Sequence, residues 1–373
     1  MTGKVWMAAV VLMTGVILAA AVPALHAAAV GPQAREVLAK VAIPKGVCVV
    51  LGLPEAGQPN FVTDLASGSE FLVYFQSPDG AEELAVRKAA QAAGLLGKQV
   101  FVDRGSWRHI HLADNLAGLV WLSPEAQRAV PPEEVLRVLH PEGKALYGPK
   151  ELVKPFPAGA DAWSYPYHGP DNNPQSRDQV ARLPCLTQFL AEPMFSPMPE
   201  LTVAAAGRVF KAFGLRATHA NQNAVLNTLM GINGYNGAIL WRRPLRAGFM
   251  LDRNTMIATA DTLYLADDES CKLIDACTGR IKDEIVIPAG VGDGKVWKWM
   301  ALATGPQGQP TLYAMVGGEE VKPNTEVSAN PFLGSWAFPA GAGWDYKNEK
   351  TNFGFGRTIV AIDSRTKKFL WKH

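Results

Sequence analysis

A repeated strand–turn–strand pattern in the second half of the chain limits the folds that this sequence can adopt. Residues 232–241, 274–281 and 362–371 align with one another. In each segment an apolar strand ends in Asn or Asp, a tight turn follows, and a second strand carries Ile, Leu or Trp. The first two segments begin 42 residues apart and the third begins 88 residues later, about twice that spacing. A period near forty residues with several strands per repeat is typical of β-propeller blades.

Further strand patterns lie between the repeats, at residues 201–203, 208–213, 255–260, 262–266, 297–303 and 311–316. Only two to three blades can be counted, whereas closed propellers usually have at least four. We therefore expect residues 163–373 to form an all-β partial propeller from a C-terminally truncated chain. The alternative is a full-length chain whose open blade edge pairs with another chain.

The repeats resemble those of the pyrroloquinoline-quinone-like (PQQ-like) β-propeller family, whose hallmark is A-x-D-x-x-T-G-x-x-x-W. Residues 163–173 are similar to the entry segment of that family, and the mixture of aromatic residues with Gly, Pro, Asp and Asn predicts an ordered loop there. The family includes quinone-dependent alcohol dehydrogenases and non-catalytic scaffolds for membrane-protein assembly. For the dehydrogenases the resemblance implies a calcium ion, an acidic base and often a disulfide of adjacent cysteines. None of these can be assigned, and the four cysteines include no adjacent pair.

In the first half of the chain, strand and helix patterns alternate. Strands are predicted at residues 47–53, 71–75, 100–102, 116–122 and 144–147. Helices are predicted at residues 80–93, between the capping residue Asp79 and Gly94, and at residues 133–139, before a turn at 141–143. This alternation predicts a doubly wound α/β sheet, in which ligands lie at the carboxyl ends of the strands.

Two segments of this half resemble class I S-adenosylmethionine (SAM)-dependent methyltransferases. Residues 134–144, EVLRVLHPEGK, are similar to the family's E-x-x-R-V-L-K-P-G-G stretch, and residues 112–116, LADNL, to its L-P-x-x-D-N segment. The resemblance covers residues 36–150 and implies a Rossmann-like domain. A degenerate domain of this kind leading into a PQQ-like propeller is an arrangement known among secreted bacterial proteins.

The resemblance places the cofactor against the loop after the first strand, where closely spaced glycines let the backbone approach it. Gly52 matches this pattern, but Pro54 and Ala56 stand where the family prefers glycine. Gln76 replaces the acid that binds the ribose hydroxyls, and Asp103 is placed on the adenine side. These departures predict an inactive domain. A working methyltransferase stays open as an alternative. No catalytic base stands out, but this does not exclude activity, because such enzymes can act largely by positioning.

The N-terminal segment predicts export. Lys4 precedes an apolar run at residues 5–22 and small residues at 27–29, which is typical of a signal peptide at residues 1–28; a retained membrane anchor is the alternative. No later run is long enough to form a transmembrane domain. A net charge of +2 and a pI of about 8.3 give no indication of a nucleic-acid partner. We expect a periplasmic or secreted protein, in a compartment where SAM is rarely met.

Three smaller features lie elsewhere in the chain. Residues 151–162 are expected to form a linker between the domains. His109 and His111 have no partner motif, so they are interpreted as loop histidines and no metal site is predicted. A long aromatic-rich insertion at residues 317–356 contains Trp336 and Trp344, which could bind a sugar or peptide at the propeller face or pack against the neighbouring domain.

The sequence as a whole predicts an exported binding or scaffold protein, built on a PQQ-like propeller and an inactive methyltransferase-like domain that would contact a cofactor through Gly52, Gln76 and Asp103. The expected partner is a protein or carbohydrate ligand. The alternatives are a PQQ-dependent dehydrogenase and a SAM-dependent methyltransferase. The cofactor stays unassigned between SAM and PQQ with calcium, since neither motif is complete.

Overall fold

The structure is a computed structural model that describes residues 30–54, 58–182, 189–193, 198–216, 220–246, 255–267, 269–292, 294–318, 356 and 358–373. The predicted signal segment 1–28 and the predicted ligand residues Trp336 and Trp344 lie outside these ranges. No α-helix within the described ranges combines the length and hydropathy needed to cross a bilayer.

The first part of the chain forms a six-stranded sheet covered by helices. The strands are β1 (Lys45–Leu51), β2 (Glu70–Ser77), β3 (Val100–Arg104), β4 (Ala117–Leu122), β5 (Leu139–Tyr147) and β6 (Lys150–Val153). The helices are α1 (Pro32–Ala39), α2 (Asn60–Ser67), α3 (Gly80–Ala92), α4 (Ala126–Ala129) and α5 (Pro132–Val138). The strand order is β3-β2-β1-β4-β5-β6, parallel except for β6. This is a Rossmann-like arrangement of a doubly wound sheet.

Both faces of the central strand β1 are buried. Cys48 and Val50 belong to the core that α1, α2 and α3 cover, whereas Val49 and Leu51 belong to the core that α4 and α5 cover. A continuous apolar run is the pattern expected of a parallel strand with helices on both faces. Burial also raises the pKa of the Cys48 thiol to about 12, which makes it an inert part of the core.

The local signals around α3 are confirmed. Asp79 caps the helix, because its Oδ1 accepts a hydrogen bond from the Ala81 amide at 2.8 Å. Gly94 follows the helix with a φ of +70°, a conformation that glycine adopts without steric cost.

The prediction of a turn before the last parallel strand was wrong. β5 begins at Leu139, directly after α5, because Leu139 pairs with Ala117 of β4. The next register pair joins Leu119 to Lys144, so residues 140–143 bulge from the ladder. The chain also continues into β6, which pairs with β5 although residues 151–162 were expected to be a linker.

The second part of the chain forms three four-stranded antiparallel sheets. The first contains β7 (Met198–Ala205), β8 (Arg208–Arg216), β9 (Thr228–Asn233) and β10 (Ile239–Pro244). The second contains β11 (Met256–Ala258), β12 (Thr262–Ala266), β13 (Cys271–Asp275) and β14 (Ile281–Ile285). The third contains β15 (Val296–Thr304), β16 (Pro310–Gly317), β17 (Thr358–Asp363) and β18 (Phe369–Lys372). Each sheet pairs its strands in sequence order.

The three sequence repeats are the last hairpin of each sheet, and each hairpin is closed in the same way. The side-chain oxygen of the Asn or Asp accepts hydrogen bonds from the backbone amides two and three residues later. The residue four positions later has a positive φ. These Asn/Asp and positive-φ pairs are Asn233 with Gly237, Asp275 with Gly279, and Asp363 with Lys367.

Equivalent positions also join neighbouring sheets. Trp241, eight residues after the Asn of the first sheet, packs on Gly279 in the turn of the second sheet and donates from Nε1 to the Ala276 carbonyl at 3.1 Å. At the corresponding place, Asp283 of the second sheet forms an ion pair with Lys367 in the turn of the third. At equivalent positions, the first junction is therefore formed by an aromatic ring against a glycine and the second by an ion pair.

Three consecutive residues, 163–165, connect all three sheets. Trp163 pairs with the backbone of β7, and the Ser164 carbonyl accepts a hydrogen bond from β11 at 2.9 Å. The Tyr165 hydroxyl bonds to the backbone of β15 at 2.9 Å. Shared apolar cores join the first sheet to the second and the second to the third. The described residues thus show three packed sheets, and closure into a propeller stays a prediction.

We expect Gly279→Ala to cost more stability than Gly308→Ala, although both glycines have a positive φ. A Cβ at Gly279 would lie 2.5 Å from the Trp241 indole, whereas nothing lies within 4 Å of a Cβ at Gly308. Gly308→Ala should therefore cost only the free energy of placing a residue with a Cβ in the left-handed backbone conformation, about 1 kcal/mol. Gly279→Ala should cost about 1–3 kcal/mol more, because the indole must move. Urea unfolding of both variants checks this, and equal losses would contradict the described junction.

Candidate functional site

The candidate site lies at the carboxyl edge of the parallel sheet. The ends of β1, β2 and β3 bring Gly52, Gln76 and Asp103 to this edge. The Gly52 amide donates to the Gln76 carbonyl at 3.0 Å, and the Tyr74 hydroxyl lies 3.1 Å from Gln76 Oε1 and 3.2 Å from Asp103 Oδ2. The structure therefore places the three predicted cofactor residues together.

The side chain of Gln76 has no exposed surface, and a loop of the protein uses its polar atoms. Its Nε2 donates to the carbonyls of Ser106 at 2.9 Å and His109 at 2.8 Å. Its Oε1 accepts from the amide of His111 at 3.0 Å. All of these hydrogen bonds join Gln76 to residues 105–111, which we call the covering loop. The side chain at the position that faces the cofactor in the family pattern therefore holds the covering loop in place.

The covering loop also lies over Gly52. A Cβ at Gly52 would meet Ser123 Oγ at 2.5 Å and the Trp107 ring at 3.2 Å. The family pattern uses a glycine at this position so that the cofactor can approach the backbone. Here the close approach is made by side chains of the same chain. Gly105 is needed for the same reason, since a Cβ there would lie 2.7 Å from Gln76 Nε2.

A second anchor holds the far end of the covering loop. Glu134 of α5 accepts from the Ile110 amide at 2.7 Å and from Arg137 Nε at 2.9 Å. Arg137 donates to the carbonyls of Ile110 and Leu112, both at 2.8 Å, and to Asp114 Oδ1 at 2.7 Å. The Arg137 guanidinium, with the Ile110 amide, holds the pKa of the largely buried Glu134 at about 2.

Asp103 is hydrogen-bonded to a histidine of the covering loop. Its Oδ2 lies 2.8 Å from His111 Nδ1, and this hydrogen bond lowers the pKa of the Asp103 carboxyl. Burial, followed by the charge of Asp103, raises the pKa of Tyr74, which stays a neutral hydroxyl. As an adenine contact Asp103 stays a prediction.

His109 and His111 lie near each other in the covering loop. Their rings are 5.9 Å apart, and each has its own carboxylate: His109 Nδ1 is 2.9 Å from Glu134, and His111 is bonded to Asp103. Within the described ranges, no group of three or more His, Cys, Asp or Glu side chains is arranged to hold a metal ion.

Sequence reasoning located Gly52, Gln76 and Asp103 but missed the covering loop. Trp107 carries no local signal for its position over Gly52, because that contact joins distant residues. Glu134 and Arg137 had a usable signal, since their i, i+3 spacing puts them on one face of a predicted helix.

SAM-binding methyltransferases and one cyclase are among the solved structures similar to this region. A proposed SAM-dependent methyltransferase from Methanococcus maripaludis is 20% identical to this chain. The alignment covers 30% of this chain and 52% of the methyltransferase, with a TM-score of 0.27. A SAM-dependent methyltransferase from Aquifex aeolicus is 20% identical over 30% of this chain and 61% of the methyltransferase, with a TM-score of 0.25. The [4+2]-cyclase SpnF is 19% identical over 30% and 42%, with a TM-score of 0.26.

This chain spans about half the length of the solved structures it matches. Similarity at this level carries no inference about activity, and the fold assignment rests on the strand order of the parallel sheet. The sequence matches no protein-family model and no curated protein sequence.

We expect Gln76→Glu, which restores the acid of the family pattern, to destabilise the protein at neutral pH by about 3 kcal/mol. The new carboxylate would be buried opposite the Ser106 and His109 carbonyls, so its folded pKa would rise above its unfolded value of about 4.3. The stability loss should grow as the pH rises from about 4 to 7. Gln76→Met, which has no ionisable group, is the control and should show a constant loss. Denaturant unfolding across this range measures both, and a pH-independent loss in Gln76→Glu would contradict the contacts.

Glu134→Gln should lose about 2 kcal/mol at pH 7, because the variant keeps the shape but loses the charge that faces Arg137. The Glu134 pKa is depressed on folding, so its stabilisation is present above the unfolded value of 4.5 and disappears as the pH falls to about 2. The two unfolding free energies should therefore converge between these pH values. The exposed neighbour Glu133→Gln provides a charge-matched control with little loss at any pH. A gap that persisted at low pH would show that the charge is not responsible.

Proposed function

We propose that this chain is an exported binding or scaffold protein whose methyltransferase-like domain holds no SAM. The observation that carries this proposal is the complete burial of Gln76, whose amide bonds to the covering loop. A ribose could reach Gln76 only if the loop left the sheet. That movement would break the Gln76 contacts and the Glu134–Arg137 anchor together.

The residues at this edge do not fit SAM in the described arrangement. Trp107 and Ser123 fill the space next to Gly52, and Asp103 is bonded to His111. The domain serves instead as a rigid platform, since a doubly wound fold can be kept for its surface without its ancestral chemistry.

The proposal assigns the binding role to the antiparallel sheets, as part of a PQQ-like propeller. Three features support it: the matching hairpin turns, the Trp241–Gly279 junction, and the packing of consecutive four-stranded sheets. A protein or carbohydrate is the proposed ligand class. Trp336 and Trp344, the residues proposed to bind it, lie outside the described residues.

Titration of SAM into the full chain tests the proposal. Calorimetry and equilibrium dialysis with labelled SAM should show no saturable binding up to millimolar ligand, with folding verified by circular dichroism. Trp107→Ala should not create a site, because Gln76 would still be bonded to the loop backbone. A functional SAM-dependent methyltransferase under the same conditions serves as the positive control.

Saturable binding at micromolar SAM would overturn the proposal, particularly if Asp103→Asn weakened it. Such a result would mean that the covering loop opens at little cost, and would favour the methyltransferase alternative.

A further inference from the structure

The outer face of the third antiparallel sheet repeats the surface by which the first two sheets join their neighbours. In each sheet, a row of three register partners crosses the second, third and fourth strands. These rows are Phe210–Gly231–Trp241, Tyr264–Leu273–Asp283 and Tyr313–Ala361–Trp371. The third row therefore occupies the same place in its sheet as the other two.

The first two rows face the following sheet. Phe210 and Trp241 belong to the core that the first sheet shares with the second, and Tyr264 and Leu273 belong to the core that the second shares with the third. Trp241 is only 7% exposed and Tyr264 only 8%. Packing on a further sheet is thus the structural use that this chain makes of such a row.

The third row has the same geometry but is open to solvent. The ring centroids of Tyr313 and Trp371 lie 5.9 Å apart, as do those of Phe210 and Trp241. Trp371 is nevertheless 45% exposed. The part of the chain that the structure describes contains no fourth four-stranded antiparallel sheet. An aromatic side chain that is buried at the first junction is therefore left accessible at the third sheet.

The positions around this row are apolar as well. Side chains alternate between the two faces of a strand, so Trp299, Met315 and Ile359 lie on the same face as the row, and Ile359 is 38% exposed. We call this face the outer patch; its residues are Trp299, Ala301, Tyr313, Met315, Ile359, Ala361 and Trp371. None of them carries a charge. Contiguous apolar surface of this kind is typical of protein contact sites.

The other end of the array is already covered by the chain itself. Val225 packs with Phe213 and Met230 on the far face of the first sheet, and Phe189 lies against Gly237 in its last turn. The turn of the second sheet is filled in the same way, by Trp241 against Gly279. A head-to-tail contact between two chains would have to displace one of these side chains, whereas the outer patch is open.

We propose that the outer patch packs against the outer patch of a second copy of this chain, about a two-fold axis. In such a contact each copy supplies the same surface. A two-fold axis brings like groups together, so a patch without charged side chains avoids repulsion between equal charges. The two sheets would pack face to face, as in a β-sandwich. This dimer goes beyond the proposed function and does not depend on whether SAM binds.

The size of the patch predicts a weak dimer. Four strands about 4.8 Å apart and about 20 Å long present a face of roughly 400 Å². A standard stable interface takes about 800 Å² from each partner. We therefore expect reversible association with a dissociation constant in the micromolar range, rather than a permanent dimer.

Sedimentation of the full chain between about 1 and 100 µM tests the proposal. It should show a monomer and a dimer in equilibrium and no larger species, because a contact between identical patches closes at two copies. Trp371→Glu should weaken dimerisation at least about 100-fold, since the new charge enters the interface from both copies. Leu84→Glu is the matched control, because Leu84 is 52% exposed on α3 of the α/β domain, and should leave the equilibrium unchanged. If Trp371→Glu does not fold, Ile359→Lys tests the same patch from β17.

Three results would overturn the proposal: a full chain that stays monomeric at about 100 µM, a dimer that survives both Trp371→Glu and Ile359→Lys, or growth beyond the dimer. A variant in which a short Asn-Gly turn replaces residues 319–355, which lie outside the described ranges, identifies the occupant in the first case. If only that variant dimerises, the segment 319–355 covers the outer patch in place of a second copy.

Discussion

The carboxyl edge of the parallel sheet depends on one buried amide. Because Gln76 has no exposed surface, each of its polar atoms needs a partner inside the protein, and the covering loop provides them. A carboxylate in this position would face two carbonyl oxygens and could not hold the loop. The residue that departs from the methyltransferase pattern is therefore the same residue that anchors the covering loop.

Features set by neighbouring residues could be predicted from the sequence. Asp79 and Gly94 fix the ends of α3, the apolar run of β1 requires cover on both faces, and the Asn or Asp of each repeat closes a hairpin. In these cases the pattern that predicts the element lies within a few consecutive residues. The three candidate cofactor residues were identified through the resemblance to the methyltransferase pattern, and the parallel sheet brings them together because its strand ends meet at one edge.

Features set by distant contacts could not be predicted. β5 begins at Leu139 because Ala117 of another strand offers a backbone partner, a pairing that no local pattern reveals. α2 has no side-chain cap at its first residue and is held by the packing of Phe61 and Leu65 in the core. The position of Trp107 over Gly52 likewise exists only in the folded chain. Sequence motifs located the edge of the sheet, whereas its accessibility was decided by tertiary contacts.

The junctions between sheets have a consequence for how such an array can change. Phe189 lies against Gly237, Trp241 against Gly279, and Asp283 against Lys367, so each turn meets a side chain contributed from outside its own sheet. Where the side chain is an aromatic ring, the facing turn residue is a glycine. Where the turn residue is a lysine, the facing side chain is an aspartate that pairs with it. The two members of each pair must therefore change together, although they belong to different structural units. The contacts between neighbouring sheets are in this way made by matched pairs, so a substitution on one side of a junction changes what the other side can accommodate.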